Sequence, residues 1–178
     1  MEIKALILDD KAISRALIRI SHEIIENNNG VDNICLVGIK TRGVPLANRI
    51  AENIENFEGQ KINVGCLDIT FFRDDLEDIT QKASIDTSEI NFNIVGKDII
   101  LVDDVLFTGR TVRAGIDAII SLGRPKSIQF ATLIDRGHRE LPIRPDYVGK
   151  NLPTSRSELV KVQLLEIDDK DEVILINK

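Results

Sequence analysis

Residues 99–111 read Ile-Ile-Leu-Val-Asp-Asp-Val-Leu-Phe-Thr-Gly-Arg-Thr. The first four are a continuous apolar run, which is typical of a strand buried on both faces of a parallel sheet. Two adjacent acids, Asp103 and Asp104, end this run, and apolar residues at helical spacing follow residue 111. The segment therefore predicts a buried strand, a short turn and a helix.

The turn between that strand and helix has the composition of an anion site. Unpaired backbone N–H groups point outward at a helix N-terminus, and the helix dipole favours negative charge there. Gly109 permits a backbone close enough to wrap a phosphate, and the hydroxyls of Thr108 and Thr111 can add donors. An ordinary turn with a helix-capping acid is the alternative, and it would explain a lone Thr-Gly pair better than it explains the whole run.

The two acids call for a different ligand group. Carboxylates beside a phosphate cradle would repel the phosphate unless they bind sugar hydroxyls or a divalent cation. A molecule that carries ribose hydroxyls, a phosphate and a metal-bound polyphosphate satisfies both parts of the pattern.

Residues 99–111 resemble the signature with which type I phosphoribosyltransferases bind phosphoribosyl pyrophosphate (PRPP). From about Lys4 to its last apolar segment, the chain is similar to the family of bifunctional pyrimidine-operon attenuation regulators that are also uracil phosphoribosyltransferases. The resemblance implies a single α/β domain over residues 1–178, with a mainly parallel central sheet flanked by helices and a small hood at about residues 135–150. It also implies a homo-oligomer, a dimer or higher.

The composition agrees with such a domain. The 178 residues are 43% hydrophobic and 29% charged, as in ordinary globular proteins. Apolar runs are far shorter than the roughly 20 residues of a membrane span, and acids at positions 9 and 10 interrupt the region where a signal peptide needs its apolar core. Cys35 and Cys66 lie in apolar strand patterns, which favours buried thiols in a reducing cytoplasm.

A second loop supplies positive charge. Lys40, Thr41, Arg42 and Gly43 follow the apolar residues 34–39, and ligands of open α/β sheets bind beyond the carboxyl ends of strands. In the family that the chain resembles, this position holds the loop that grips pyrophosphate.

The longest polar segment is residues 76–93, which is acidic and has no core pattern. A segment of this length without regular structure is often a lid over a site. The resemblance implies a mobile lid at about residues 73–93 that closes over PRPP, with Arg73 as an additional pyrophosphate ligand. A β-hairpin is a compatible interpretation.

The resemblance also implies roles for individual residues. Asp103 and Asp104 would hold the ribose hydroxyls and, through the ligand or water, Mg²⁺, and these two acids would be catalytic together with Arg42. The residues implied to bind PRPP are Lys40, Thr41, Arg42, Gly43, Arg73, Asp103, Asp104, Val105, Leu106, Phe107, Thr108, Gly109, Arg110 and Thr111.

Residue 107 bears on the choice of base. In 6-oxopurine phosphoribosyltransferases the residue before Thr-Gly is typically an acid that faces the base, whereas Phe107 cannot accept a proton or a hydrogen bond. This argues against a purine, and the resemblance implies a pyrimidine, with uracil as the substrate and UMP or UTP as the effector. The residues implied to contact the base are Asp135, Arg136, His138 and Arg139.

An RNA-binding role has to rest on a local basic patch, because the net charge is −6. Arg15, Arg19 and His22 lie near one another on one face of a predicted helix that ends at about residue 28, although a solvated polar face would have the same pattern. The residues implied to bind a stem-loop of pyrimidine-operon leader mRNA are Arg15, Arg19, His22, Arg139, Arg144 and Lys150.

The sequence therefore predicts a uridine-nucleotide-dependent, RNA-binding regulator of transcription attenuation that also converts uracil and PRPP to UMP and pyrophosphate. Two alternatives remain open: a phosphoribosyltransferase for hypoxanthine or another base without an RNA role, and a regulator that keeps the site only to sense nucleotides. The pattern also predicts a long strand over residues 62–72 and a last strand, residues 173–176, that completes the central sheet.

Overall fold

The computed structural model describes residues 2–69 and 89–177, and this part of the chain forms an α/β fold of eight strands and four helices. In chain order these are β1 (Glu2–Leu8), α1 (Asp10–Asn27), β2 (Ile34–Ile39), α2 (Gly43–Glu58), β3 (Asn63–Leu67), β4 (Asp98–Leu106), α3 (Arg110–Leu122), β5 (Ser127–Asp135), β6 (Tyr147–Asn151), β7 (Glu158–Gln163), α4 (Leu165–Asp168) and β8 (Glu172–Asn177).

Five strands form a parallel central sheet in the order β3-β2-β4-β5-β6. β2 is buried along its whole length, as its continuous apolar run predicts. Alternate side chains point to opposite faces: Leu36 and Ile100 belong to the core shared with α1 and α2, whereas Val37 and Leu101 belong to the core shared with α3. The sheet is therefore a middle layer with helices on both faces.

Local sequence explains the first helix. The Asp9 side chain accepts a hydrogen bond from the Ala12 backbone N–H at 2.7 Å, which caps the first turn of α1. The apolar stripe at 3.6-residue spacing is buried against the sheet, and its members are Ile13, Leu17, Ile20 and Ile24.

The order of the strands creates a crevice at one end of the sheet. The chain passes from β2 through α2 to β3, and it then returns so that β4 lies on the other side of β2. Such a switch point is where open α/β sheets bind ligands. The loop at residues 40–42 follows β2 and the two acids lie in the carboxyl half of β4, so the topology places both predicted ligand loops at the crevice.

Gly43 allows the close approach that this crevice requires. A Cβ added to Gly43 would lie 2.3 Å from the backbone oxygen of Val102 in β4. Since that contact is with backbone, it cannot be relieved by moving a side chain. Glycine therefore lets the start of α2 lie directly against β4.

A second, smaller sheet has three antiparallel strands in the order β1-β8-β7. The prediction that residues 173–176 complete the central sheet is therefore wrong, because β8 pairs with β1 and β7. Val173 and Leu175 are buried in the same core as α1 and α2. The apolar run at the C-terminal end correctly indicated burial, but burial does not identify the sheet to which a strand belongs.

The strand predicted over residues 62–72 is shorter among the described residues. β3 ends at Leu67, whose backbone oxygen accepts a hydrogen bond from the Lys40 N–H at 2.9 Å. β2 ends at Ile39, the partner of Leu67, so in the described part of the chain β3 has no further β2 residue with which to pair. Residues 70–72 lie outside the described part of the chain.

Two further expectations concern the thiols and the membrane. Cys35 and Cys66 are both free, and burial raises the pKa of each, that of Cys66 to about 12. Neither is a thiolate nucleophile at neutral pH. In the parts of the chain that the structure describes, no helix has both the length and the apolar character needed to cross a bilayer.

Replacing Gly43 with Ala should destabilise the fold. The added methyl group collides with the Val102 carbonyl, and such overpacking costs about 1–3 kcal/mol. In a protein of this size, that corresponds to a fall in melting temperature of roughly 2–12 °C.

Thermal unfolding measures this change, with Asn48→Ala as a control because Asn48 is exposed on the same helix. A Gly43→Ala protein that melts with the wild type would show that the start of α2 does not have to contact β4.

Candidate active site

The carboxylate pair, Asp103 and Asp104, lies in the carboxyl half of β4. The Asp104 N–H donates to Asp103 Oδ1 at 2.9 Å, and the Val105 N–H donates to Asp104 Oδ1 at 2.8 Å. Burial raises the pKa of both carboxyl groups; the neighbouring Asp104 raises that of Asp103 further, and nearby Arg42 opposes the rise at Asp104. Two carboxylates held this way are strong acceptors for hydroxyl groups and have a high affinity for positive charge.

The phosphate turn, residues 108–111, leads from β4 into α3. Gly109 has φ 93°, a left-handed conformation that glycine adopts without strain. The Arg110 N–H approaches Thr108 Oγ1 at 3.3 Å, and α3 begins at Arg110. A cavity of about 410 Å³ is lined by this turn, the flanking residues from 105 to 112, and Glu140. The predicted anion cradle is thus a real depression at a helix N-terminus.

A second cavity of about 410 Å³ lies between the cationic loop, residues 40–43, and the carboxylate pair. It shares Val105 and Thr111 with the first cavity, so the two adjoin along these residues. The structure therefore brings together the two loops that sequence reasoning had predicted to form one site. The residues lining the second cavity are Lys40, Thr41, Arg42, Asp68, Ile69, Asp103, Asp104, Val105 and Thr111.

Each cation of the two loops has a carboxylate partner. The distances are 3.0 Å from Lys40 Nζ to Glu89 Oε1, 2.8 Å from Arg42 Nη2 to Asp168 Oδ1, and 2.7 Å from Arg110 Nε to Glu140 Oε2. Sequence reasoning missed all three acids. The acidic character of the C-terminal segment was the one available signal for Asp168, since the partners are remote in sequence.

The hood loop, residues 136–146, follows β5, and its predicted base-binding side chains brace the loop itself. Arg139 donates to Asp135 Oδ2 at 2.5 Å and to the backbone oxygens of Ile143 and Phe107 at 2.8 and 3.1 Å. His138 Nε2 lies 2.5 Å from the Thr154 backbone oxygen, which requires the proton on Nε2.

Arg136 is hydrogen-bonded within the protein and is not exposed to a ligand from solvent. It is buried, and its guanidinium donates to Thr154 Oγ1 and to the backbone oxygens of Ser155 and Glu158. The guanidinium carbon lies 4.2 Å from the centre of the Phe107 ring, a cation–π geometry. Arg136 therefore supports the ring of Phe107, which is itself 37% exposed at the edge of the phosphate turn.

Part of the predicted basic surface also comes together. Arg19 of α1 donates to the backbone oxygens of Val148 and Gly149 in β6 at 3.0 and 2.6 Å. Lys150 is the next residue along β6 and is exposed. Arg139 and Arg144 line a cavity of about 490 Å³ that also includes Val148. The α1 face, the edge strand β6 and the hood loop are thus neighbours.

His22 and Arg15 are placed differently. The His22 ring stacks on Phe57 of α2, with 4.1 Å between ring centroids and 13° between planes. His22 therefore faces α2, whereas Arg15 is exposed one turn before Arg19. Arg73 and most of the predicted lid lie outside the residues that the structure describes.

The carboxylates of the candidate site fit a metal ion that binds together with a phosphate-containing ligand. In residues 2–69 and 89–177, no cluster of three or more His, Cys, Asp or Glu side chains could hold a metal. Mg²⁺ commonly keeps several waters and binds through one or two carboxylates plus substrate phosphates. Asp103 and Asp104 supply those carboxylates beside the second cavity.

Comparison with known proteins shows the family to which this chain belongs. Residues 5–167 match the family described as phosphoribosyl transferase domain. The match includes both loops and the carboxylate pair, so the type I phosphoribosyltransferase fold predicted from the sequence is confirmed.

The chain is 62% identical over 172 residues to the bifunctional protein PyrR of Clostridioides difficile (strain 630), with 97% of each chain covered. It is 60% identical over 178 residues to the bifunctional protein PyrR of Thermoanaerobacter sp. (strain X514), with both chains covered completely. The chain belongs to the bifunctional PyrR family of phosphoribosyltransferases, which confirms the predicted resemblance.

Solved structures share the fold at low sequence identity. A hypoxanthine-guanine phosphoribosyltransferase from Bacillus anthracis has a TM-score of 0.72 at 18% identity, covering 99% of each chain. A hypoxanthine phosphoribosyltransferase from Trypanosoma cruzi in complex with its product IMP has a TM-score of 0.75 at 14% identity, covering 98% of this chain and 91% of the other. At these identities the likeness establishes the fold and does not identify the base.

Replacing Asp103 with Asn should stabilise the protein at neutral pH. Because the pKa of Asp103 is raised in the folded state, its contribution to stability is present below the unfolded pKa of about 4 and is lost as the pH rises through the folded value. Asn keeps an oxygen for the Asp104 N–H. We therefore expect the variant to melt above the wild type at pH 7, with a smaller difference at pH 4.

Thermal melts at the two pH values measure this difference. Asp117→Asn is the control, since Asp117 forms an exposed pair with Arg113 on α3 and such pairs contribute little. A lower melting temperature for Asp103→Asn at pH 7 would mean that the ionised Asp103 carboxylate stabilises the fold.

Proposed function

We propose that this protein has two roles: it converts uracil and PRPP to UMP and pyrophosphate, and it binds pyrimidine-operon leader RNA in a uridine-nucleotide-dependent manner to regulate transcription attenuation. Membership of the bifunctional PyrR family supports both roles. The alternative of a purine phosphoribosyltransferase without an RNA role finds no support in those relatives.

One observation carries the enzymatic role. Two adjoining cavities, each about 410 Å³, meet along Val105 and Thr111, with the phosphate turn in one and the cationic loop in the other. PRPP has a 5′-phosphate at one end of its ribose and a pyrophosphate at the other. The carboxylate pair borders the junction, where the ribose hydroxyls of such a molecule would lie.

The reaction requires little covalent chemistry from the protein. A base nitrogen displaces pyrophosphate from C1 of the ribose, and positive charge develops on the sugar in the transition state. The carboxylate pair orients the ribose and stabilises that charge, while Lys40 and Arg42 neutralise the departing pyrophosphate. The phosphate turn fixes the far end of the substrate through backbone N–H groups.

A bound Mg²⁺ would supply further positive charge to neutralise the pyrophosphate. Asp103 and Asp104 would hold it through water or through the substrate, since no cluster of three or more His, Cys, Asp or Glu side chains among the described residues could hold a metal by itself. Arg73, from the segment outside the described residues, is proposed as a further pyrophosphate ligand.

Selection of uracil is proposed to depend on Phe107 and the hood loop. Phe107 presents a ring without hydrogen-bonding groups, and the Arg136 guanidinium packs against it. The polar side chains predicted to bind the base are hydrogen-bonded within the protein. We therefore assign Asp135, Arg136, His138 and Arg139 mainly to holding the loop in shape, with the base contacting main-chain groups that they position.

The RNA-binding role is supported by the adjacency of α1, β6 and the hood loop. An acidic protein must concentrate its positive charge locally to bind RNA, and Arg19 lies directly on the β6 backbone. We propose that Arg15, Arg19, Arg144 and Lys150 contact the RNA. We further propose that the protein acts in the cytoplasm as a homo-oligomer. Analytical sedimentation of the full chain measures the mass of that oligomer.

The enzymatic role is tested by incubating the protein with PRPP, Mg²⁺ and one base at a time. We expect UMP from uracil and no nucleotide from hypoxanthine, guanine or xanthine. Nucleotide formation from a purine would identify a purine enzyme. If no base gave a product, the remaining alternative would be a regulator that binds nucleotides without catalysis.

Asp104→Asn should lower uracil transfer at least tenfold. The change removes a charge-assisted hydrogen bond worth about 1.5–3 kcal/mol, which corresponds to a rate factor of roughly ten to a hundred. Initial rates at saturating uracil measure the effect, and circular dichroism checks that the variant is folded. Turnover close to that of the wild type would remove Asp104 from the site.

Lys150→Gln and Arg15→Gln should each weaken binding to a pyrimidine-leader stem-loop by about 1–3 kcal/mol if the side chain contacts RNA. Both side chains are exposed, so the substitutions leave the fold unchanged. Arg139→Gln is a less informative variant, because Arg139 braces the hood loop.

Gel-shift titrations with and without UMP measure this binding, and uracil transfer should be unchanged in both variants. Lys126→Gln is the matched control, since Lys126 is an exposed lysine at the amino end of β5. Wild-type affinity in both test variants would exclude this face from RNA recognition.

A further inference from the structure

The C-terminal clamp, residues 164–171, is fixed onto the start of α2 by two arginines. Arg49 is held by Glu166 and Asp171, with N–O distances of 2.6 and 2.7 Å. Arg42 is held by Asp168 through two bonds, 3.2 Å from Nε to Oδ2 and 2.8 Å from Nη2 to Oδ1. The clamp therefore reaches a residue of the cationic loop through Asp168.

Asp168 is itself held in place. Its Oδ2 accepts a hydrogen bond from the Leu164 N–H at 3.0 Å, and its side chain is only 14% exposed. The clamp is braced further by the Leu165 N–H, which donates to Asp171 Oδ1 at 2.8 Å. A guanidinium that is bound twice to such a carboxylate loses most of its rotational freedom.

The geometry leaves part of Arg42 for a ligand. A guanidinium carries five N–H donors in a fixed fork, and Asp168 takes the edge formed by Nε and Nη2. Within residues 2–69 and 89–177, the Arg42 guanidinium has no other hydrogen-bond partner. Arg42 lines the cavity beside Asp103 and Asp104, whereas Asp168 does not.

We propose that Asp168 is a positioning residue for the transfer reaction: it holds the Arg42 guanidinium so that its remaining N–H groups meet the pyrophosphate of PRPP. This inference rests on the proposed function. A carboxylate near pyrophosphate would also repel it, but Asp168 lies outside the cavity wall, so the guanidinium separates the two anions. Orientation of a long side chain before binding removes an entropic cost that binding would otherwise carry.

The test is steady-state kinetics of the full chain with Asp168→Asn, which keeps the shape of the side chain and removes its charge. The Michaelis constant for PRPP should rise about tenfold, within the range expected for one charge-assisted bond. The Michaelis constant for uracil and the turnover number should stay within about twofold of the wild type. A loss of active protein alone would lower the apparent turnover number and leave both Michaelis constants unchanged.

Two control variants separate positioning from general stability. Asp171→Asn weakens the Arg49 half of the same clamp and leaves the Arg42–Asp168 pair intact. Asp169→Asn makes the same charge change one residue away, at an exposed position with φ 59° that Asn tolerates. Neither should raise the Michaelis constant for PRPP. An equal rise in Asp171→Asn, or no rise in Asp168→Asn, would overturn the proposal, and so would a lower Michaelis constant.

Two further measurements keep the proposal testable. If Asp168→Asn does not fold, Asp168→Glu keeps the charge but displaces the carboxylate, and a smaller rise is expected. Calorimetric titration with inorganic pyrophosphate and Mg²⁺ tests Asp168 even if the wild type transfers no base. In that case the proposed function fails, while weaker pyrophosphate binding by Asp168→Asn would still support the role of Asp168 and unchanged binding would overturn it.

Discussion

The site depends on one packing constraint, the contact between the start of α2 and β4. Gly43 lies so close to the Val102 carbonyl that any side chain would collide with it. This contact brings the cationic loop beside the carboxylate pair in the carboxyl half of β4, where Asp103 is buried and Asp104 is half-buried. Ionised carboxylates in such a place are costly unless positive charge is near, so the fold and the charge of the site are determined together.

The positive charges of the cationic loop and the phosphate turn are balanced by carboxylates from other parts of the chain. The three ion pairs differ in how much they contribute to stability. Lys40–Glu89 and Arg110–Glu140 have side chains that are 41–51% exposed, and pairs of this kind contribute about 0–1 kcal/mol. The Arg42–Asp168 pair is less exposed, at 29% and 14%, and it is bidentate. The exposed pairs can exchange a carboxylate for a ligand phosphate at low cost, whereas Arg42 and Asp168 form a fixed unit.

Local sequence patterns predicted the parts of the candidate site whose positions depend on short stretches of the chain, namely the loops that follow buried strands. Residues 108–111 and 40–43 follow buried strands, and parallel strands place their carboxyl ends at one edge. Asp168 and Glu140 could not be predicted in the same way, because each meets its partner only through the tertiary fold. The pairing of β8 with β1 was missed for the same reason, since an apolar strand pattern reports burial and not the neighbouring strand.

The same geometry places the two proposed ligand surfaces in different parts of the fold. The crevice lies between β2 and β4, and the basic surface lies around the edge strand β6. Arg139 of the hood loop touches both regions: it donates to the Phe107 carbonyl beside the phosphate turn, and it lines the cavity that includes Arg144 and Val148. Since Arg139 is also tied to Asp135 and Ile143, a ligand that shifts Phe107 must either break the Arg139–Phe107 hydrogen bond or move the hood loop. The hood loop therefore contacts both the phosphate turn and the basic surface.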